Sequence, residues 1–262
     1  MAPRQVNRKV TVDFFRHPKT TKIVLPGGRK VRVVGATALA ANFAASKLRA
    51  KTAKRAIKGG GRIFTSEADR TISAALGMAE AASSLRGKVG ANPVKLRKEL
   101  GEINFFTSSN AEKVFDGVLA KKYNNNEAHA LNAWLEGKEL FDGAAKHPHV
   151  IADGIIRRRV GLAVRVAENK KGIGGKGVKA NEIYLGNSTH GWMGCAIFER
   201  LTGKSYLTVK SSLQPLEHEK GIRIIVEKKV NSPLKATLTW RNYKGDVSSK
   251  LLELLKSKSV TA

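Results

Sequence analysis

The sequence predicts an α+β fold with a small N-terminal antiparallel sheet, a helical middle, and a C-terminal antiparallel sheet with flanking helices. Short runs of alternating apolar and polar residues, which are typical of strands, occur near both ends of the chain. The middle carries helix-capping sequences instead. Charge divides the chain in the same way: residues 1–66 hold 16 basic and 1 acidic residue, residues 67–146 hold 11 of each, and residues 147–262 hold 21 and 9.

These three segments are the predicted domains. Residues 1–66 form a basic arm, a small sheet and a basic helix, and residues 67–146 form a neutral helical block. Residues 147–262 form a basic, β-rich lobe that ends in an amphipathic helix. At 262 residues with 42% hydrophobic content, the chain is long enough to bury one large core or two modest ones.

Three short strands come first, at residues 9–14, 21–25 and 30–34, and Pro26-Gly27-Gly28 is the turn between the last two. Alanine and long unbranched side chains then predict a helix over residues 37–58. The last four turns of this helix are strongly basic and contain no acidic residue. A solvated helix face normally mixes the two signs, so this one predicts a partner that supplies negative charge.

The neutral block is predicted to contain four helices, because capping residues, Pro at a first helical position and Gly stops recur along it. They run from Ser66 to Gly87, from Asn92-Pro93 to Leu100, from Ser109 through Leu119, and from Glu127 to about Lys146.

The stretch 156–179 has two different halves. Its first half, residues 156–166, alternates as a strand does and would hold Arg157, Arg159 and Arg165 on one open face. Its second half is a loop rich in glycine and lysine, with exposed backbone N–H groups. An arginine row beside such a loop is well suited to holding phosphate groups.

The rest of the basic lobe is predicted as strands and two helices. The strands lie at residues 182–185, 205–210, 222–230 and 234–240. The helices run over residues 192–201 and from Asp246 towards the C-terminus, and residues 186–191 form a turn.

Candidate catalytic groups are few. His147 and His149 flank a proline, but no cysteine or carboxylate pair lies at ligand spacing, so no metal site is predicted. His190 and Cys195 are five residues apart, but the thiol lies on a predicted helix with apolar neighbours, so we interpret it as a core residue. No serine elbow or nucleotide P-loop occurs. The sequence therefore predicts neither an enzyme nor a cofactor.

Charge indicates a polyanionic partner. The chain has 48 Lys and Arg against 21 Asp and Glu, and a net charge of +27 opposes compaction unless a polyanion neutralises it. Nucleic acid is the commonest such partner, followed by an anionic membrane surface. The aromatic RNA-binding motif, a convincing GXXG clamp and the zinc finger are absent from the sequence, so backbone and shape would be recognised, with RNA favoured over DNA.

We therefore predict a sequence-nonspecific nucleic-acid-binding and packaging protein of the nucleocapsid or coat type. Two alternatives are a structural protein of a ribosome-like ribonucleoprotein and a viral nucleic-acid movement or silencing-suppressor protein. The predicted binding cleft has one wall from the basic helix and one from the stretch 156–179. Its residues are Lys47, Arg49, Lys51, Lys54, Arg55, Lys58, Arg62, Arg157, Arg159, Arg165, Lys170, Lys171, Lys176 and Lys179.

Self-association is expected through the neutral helical block and the C-terminal helix.

The sequence contains no apolar run of the roughly 20 residues needed to span a membrane. The first 15 residues lack an apolar signal core, and Cys195 is the only cysteine. These features predict an intracellular protein, in the cytoplasm or in a virion, in a reducing compartment.

Overall fold

A computed structural model of the chain describes residues 7–16, 21–24, 30–84, 94–101, 105–108, 110–168, 181–208 and 221–257. The strands are β1 Arg8–Arg16, β2 Thr21–Val24, β3 Lys30–Val33, β4 Gly61–Thr65, β5 Val94–Leu96, β6 Glu182–Thr189, β7 Ile222–Lys228, β8 Lys235–Trp240 and β9 Tyr243–Asp246. The helices are α1 Ala36–Thr52, α2 Lys54–Gly59, α3 Asp69–Ser84, α4 Ala111–Tyr123, α5 Glu127–Leu135, α6 Pro148–Ile155, α7 Gly161–Ala167, α8 Gly191–Thr202 and α9 Ser248–Lys256.

Seven of these strands form one mixed sheet in the order β5-β4-β6-β1-β7-β8-β9. Strands β5, β4, β6 and β1 are parallel to one another. Strands β1, β7, β8 and β9 are joined in antiparallel pairs. Strands β2 and β3 pair only with each other among the described residues, as a separate antiparallel hairpin. Strand β1 therefore joins a parallel half of the sheet to an antiparallel half.

Helices cover both faces of the sheet, because successive residues of a strand point to opposite sides. Val10, Val12 and Phe14 of β1 pack in a large cluster with apolar residues of α4 to α9. Phe15 points to the opposite face and packs with residues of α1, α2 and α3, such as Ile57. The sheet is thus the middle of three layers.

Gly61 allows β4 to lie close to β6. A Cβ atom at this position would clash with the carbonyl oxygen of Tyr184. The Tyr184 N–H also donates to the carbonyl oxygen of Gly60, at 3.0 Å. Gly61 is therefore needed for the close pairing of these two parallel strands.

Residues 156–166 are helical, so the predicted strand is wrong. Helix α6 begins with Pro148 at its first turn, capped by the His147 side chain, and continues through a π-helical turn at Ile156–Val160 into α7. Ile156, Val160 and Val164 are all buried. They are four residues apart, so the same apolar residues that suggest alternation also form one stripe of a helix.

The mixed α and β class is confirmed, and the predicted strands at 222–230 and 234–240 are present as β7 and β8. The predicted helix over 92–100 is wrong, because the described part of it forms β5 and a 3-10 turn at Lys98–Leu100. The C-terminal helix α9, predicted to mediate self-association, buries Leu251 and Leu254 in the core of its own chain.

The division into three segments by charge stays a prediction, and the seven-stranded sheet takes strands from all three. In the part of the chain that the structure describes, no helix combines the length and apolar character needed to cross a bilayer.

Candidate active site

Four parallel strands end at the same edge of the sheet. The register pairs Arg16 of β1 with Thr189 of β6, and Thr65 of β4 with Ser188 of β6. Thr65 is also the partner of Leu96, the last residue of β5. In open sheets with parallel strands, ligands bind in the crevice outside the carboxyl ends of the strands. This edge is therefore the expected place for a ligand.

Two arginines come together at this edge. Arg16 is the last residue of β1, Arg70 is the second residue of α3, and both are half-buried. Burial lowers the pKa of Arg16. The nearby Cys195 and Glu127 oppose this shift, and the positive charge of Arg70 adds to it. The two guanidinium groups therefore lie within electrostatic range of each other at this edge. Such a pair is suited to binding an oxyanion with two negative charges, such as phosphate.

Two helices begin at the same edge. Helix α3 has 16 residues and starts shortly after β4, and helix α8 has 12 residues and starts directly after His190. The free N–H groups and the macrodipole of a helix N-terminus favour a bound anion. The helix ends therefore add to the positive potential created by Arg16 and Arg70.

His190 is an imidazole at the end of β6. It is 7% exposed and precedes the first residue of α8 in extended backbone conformation. The preceding residue, Thr189, donates from its hydroxyl to the carbonyl oxygen of Leu100 at 3.2 Å. Thr189 of β6 pairs with Arg16 of the neighbouring strand β1. His190 follows Thr189, so it lies just past the strand end that Arg16 occupies on β1. An imidazole in this place can transfer a proton or bind a phosphoryl oxygen.

Buried hydroxyl groups support this edge. Thr65, Ser66, Thr71 and Ser188 are completely buried. The Ser66 and Thr71 hydroxyl oxygens are 2.5 Å apart, and Thr71 also donates to the carbonyl oxygen of Ala68 at 2.7 Å. These bonds fix the turn between β4 and α3, and they therefore fix the backbone that carries Arg70.

His17 follows Arg16 directly in the sequence but lies outside the described residues. Arg16, His17 and Arg70 were not among the predicted site residues, and of the pair His190 and Cys195 a core role was predicted for the thiol of Cys195. Cys195 is completely buried, as that interpretation expected. The sequence did contain one indication of this site: Arg16 and His17 directly follow an apolar strand. Two adjacent groups of this kind at a strand end indicate a functional site more than a structural one.

The residues predicted to bind nucleic acid are found in different environments. Lys47, Lys51, Lys54, Arg55 and Lys58 are exposed on α1 and α2, whereas Arg49 is buried with its guanidinium 4.8 Å from the centre of the Phe15 ring. Arg62 is half-buried in β4. Arg157 donates to the Ser257 hydroxyl at 2.8 Å, Arg159 is buried in an ion pair, and Arg165 is exposed. Lys170, Lys171, Lys176 and Lys179 lie outside the described residues.

The two predicted walls do not form one cleft. Helices α1 and α2 pack on the sheet face that bears Phe15, and α7 packs on the face that bears Val10 and Val12. The sheet therefore lies between the basic helix and the arginine run. Charge patterning could not show this, because it carries no information about which side of a sheet a helix covers.

The fold resembles several solved structures. Mycobacterial hydrolase 2 superposes with a TM-score of 0.53 at 16% sequence identity, over 95% of this chain and 96% of its own. A mycobacterial glucosyl-3-phosphoglycerate phosphatase gives 0.52 at 15% identity, over 90% and 98%. Mycobacterial hydrolase 1 gives 0.51 at 14% identity, over 91% and 100%. The sequence matches no protein-family model, and no curated protein shows significant similarity to it.

These likenesses contradict the predicted packaging function. The shared fold is that of two hydrolases and a phosphatase. The predicted roles in a nucleocapsid, in a ribonucleoprotein and in a virus are therefore wrong. The prediction of a nucleic-acid partner and of self-assembly is wrong for the same reason. The prediction that the chain is not an enzyme is contradicted by the same finding. The error arose because the partner was inferred from net charge, which does not show where in the fold the basic side chains lie.

Among the described residues, no group of three or more His, Cys, Asp or Glu side chains is placed to hold a metal ion.

Proposed function

We propose that the protein is a phosphatase that hydrolyses a phosphate monoester at the carboxyl edge of β1, β4 and β6. The observation that carries this proposal is that Arg16, Arg70 and His190 all lie at the carboxyl edge of the parallel strands, where two helices begin. The similarity of the fold to a phosphatase and to two hydrolases supports it.

Binding of the phosphoryl group is assigned to the two arginines. A guanidinium group matches the geometry of phosphate oxygens and forms two parallel hydrogen bonds with them. The N-termini of α3 and α8 stabilise the same negative charge. In a partly buried site these groups also stabilise the charge that develops on the equatorial oxygens during phosphoryl transfer.

We assign the nucleophile to His17, because histidine forms covalent intermediates and this one is next in the chain to Arg16. A ring nitrogen of His17 forms a bond to phosphorus while the ester P–O bond breaks, and the leaving oxygen takes a proton from solvent. Water then attacks phosphorus and releases a proton to solvent, the N–P bond breaks, and inorganic phosphate leaves. His190 is assigned to donate a hydrogen bond to a phosphoryl oxygen in both steps.

The surplus of basic residues is consistent with the same proposal. A net charge of +27 creates a positive potential that attracts an anionic ester to the protein and raises its association rate. An intracellular location remains part of the proposal, and it is supported by the single cysteine, which is buried and forms no disulfide.

Hydrolysis of p-nitrophenyl phosphate tests this proposal directly. We expect His17→Ala and His190→Ala to lower kcat/KM by at least about 100-fold, since each removes a group that acts on the transferring phosphoryl group. His149→Ala is the matched control, because His149 is exposed at the start of α6 and we expect its loss to leave activity unchanged.

A labelling experiment separates the two histidines. Rapid quenching with a ³²P-labelled ester should give a phosphoenzyme that is stable to base and labile to acid, as expected for an N–P bond. Label should be retained in His190→Ala and absent from His17→Ala. If the wild-type protein hydrolyses no ester in a panel of sugar, glycerate and aryl phosphates, and takes up no label, the proposed function is wrong.

A further inference from the structure

Arg159 and Glu99 form a buried ion pair near the proposed active site. Arg159 Nη2 lies 2.5 Å from Glu99 Oε1, and the two residues are only 8% and 7% exposed. Arg158 approaches the second carboxylate oxygen at 3.6 Å, but its side chain is largely exposed. Two charges are costly to bury, and removing one partner of such a pair leaves the other charge uncompensated.

The arginine of this pair also lies against the end of β4. Its guanidinium is 4.5 Å from the centre of the Phe64 ring, and the guanidinium of Arg97 is 5.6 Å from the same ring. Phe64 precedes Thr65, the last residue of β4. Burial lowers the pKa of Arg159 to about 10, an effect that Glu99 opposes and that Arg97 increases. Arg159 therefore remains charged throughout the physiological pH range.

The glutamate of the pair belongs to a turn that is bonded to two strands. Glu99 is the middle residue of the 3-10 turn at Lys98–Leu100. At the start of this turn, the Arg97 N–H donates to the carbonyl oxygen of Thr65 at 2.7 Å. At its end, the Leu100 carbonyl oxygen accepts the hydrogen bond from Thr189 at 3.2 Å. The ion pair thus holds a turn that contacts the ends of both β4 and β6.

The π-helical turn at Ile156–Val160 makes this contact possible. Ile156, Arg159 and Val160 are all buried, although Arg159 and Val160 are adjacent in the sequence. A π-helical turn holds an extra residue, so it widens the buried stripe enough to include a charged side chain. Such insertions occur frequently at functional sites.

We propose that the Arg159–Glu99 ion pair is a positioning element of the active site, which holds the turn at Lys98–Leu100 against Thr189 and so sets the orientation of His190. Neither residue is catalytic, since both act through Thr189. This inference rests on the proposed function. It gives a positioning role to Arg159, which the sequence had predicted to bind phosphate groups directly.

The test compares Glu99→Gln, Arg159→Gln and Arg159→Lys with the wild-type protein. We expect each Gln variant to lower kcat by about 10- to 100-fold with KM changed less than threefold, because a misplaced group costs rate while the arginines still bind the phosphoryl group. Arg159→Lys keeps the charge and should recover at least a third of the wild-type kcat. All rates are measured well below the melting temperature of each variant.

A second readout does not require activity. The imidazole of His190 is titrated by NMR, using His190→Ala to assign its signal, and we expect its apparent pKa to move in both Gln variants. The control is Asp153→Asn, which breaks the ion pair with Arg200 (2.6 Å) at the far end of α8. It should lower the melting temperature and change neither kcat nor the titration of His190.

The possible outcomes separate the two proposals. If the wild-type protein is active but Glu99→Gln lowers only the melting temperature, like Asp153→Asn, the positioning role is wrong and the phosphatase proposal stands. If the wild-type protein hydrolyses no ester but the titration of His190 moves in the Gln variants, the proposed function fails and the positioning role stands.

Discussion

At the carboxyl edge of the parallel strands, Arg16 and Arg70 are both half-buried and lie within electrostatic range of each other. On α1 and α2, basic side chains such as Lys51 and Lys54 are exposed and spread along the helix surface. The second region contributes more charge to the sequence, but only the first combines its charges with helix N-termini and an imidazole. The difference shows that a phosphate site depends on convergence and partial burial, whereas the number of basic residues mainly sets the long-range potential.

The largest expected effect comes from removing the convergent charges. Arg16→Gln and Arg70→Gln should each lower kcat/KM for p-nitrophenyl phosphate by about 100- to 1000-fold, because each loses a donor to the developing negative charge. The double variant Lys54→Gln/Lys58→Gln removes two charges from α2 and is the matched control. We expect it to change kcat/KM by less than threefold. An equal loss in both sets would mean that the two basic regions are equivalent, and the comparison would fail.

A smaller effect, on stability, is expected from the buried charges beneath α1. Asp13 is 2% exposed and accepts two hydrogen bonds from Arg223, at 2.7 and 2.8 Å, while Arg223 also donates to Thr52 at the end of α1. Asp13→Asn leaves the half-buried Arg223 guanidinium without its buried counter-charge, which costs about 3 kcal/mol. The melting temperature should fall by about 10 °C in a thermal scan.

The exposed pair between Lys9 and Glu227 provides the control for that experiment. Its atoms are 3.6 Å apart, and the two side chains are 39% and 36% exposed. Glu227→Gln should therefore change the free energy of unfolding by less than about 1 kcal/mol. A similar loss in Asp13→Asn and Glu227→Gln would show that burial does not distinguish the charges beneath α1 from those at the surface.

The smallest expected effect concerns the exposed charges themselves. Lys47 and Lys51 are four residues apart on α1 and repel each other. Lys47→Glu replaces this repulsion by attraction, with the acid on the N-terminal side of the pair and away from the last turn of α1, and should raise the free energy of unfolding by about 0.5 kcal/mol in low salt. The gain should disappear near 1 M salt, where charges are screened within about 3 Å. A loss of stability in low salt would show that the contact of Lys47 with the Phe43 ring outweighs the repulsion.

Sequence patterns were reliable for two neighbouring antiparallel strands, β7 and β8. Strands β7 and β8 were predicted near their observed bounds, because alternate residues such as Ile224 and Val226 face the core while their neighbours are only partly buried. The same applies to the basic helix, which was predicted over 37–58 and is present as α1 and α2 with a break at Ala53. Local composition decides the structure in these elements.

The parallel half was predicted poorly, and the site with it. Strand β6 was expected to end at Leu185, because Gly186, Asn187 and Ser188 are typical of turns. The strand continues to Thr189, and these polar residues are buried at its end. Rules based on local propensity fail here because pairing with distant strands decides the conformation: Thr189 pairs with Arg16 of β1, and Ser188 pairs with Thr65 of β4.

The position of β1 in the sheet has a consequence for synthesis on the ribosome. Its partners are β6 and β7, and the register joins Lys9 to Glu182 and to Glu227. At the usual rate of about 5–20 residues per second, roughly 10–35 s pass before the first of these partners has been translated. Throughout that interval the central strand has both edges unpaired, so the nascent chain should depend on chaperones and should acquire protease resistance only late in translation.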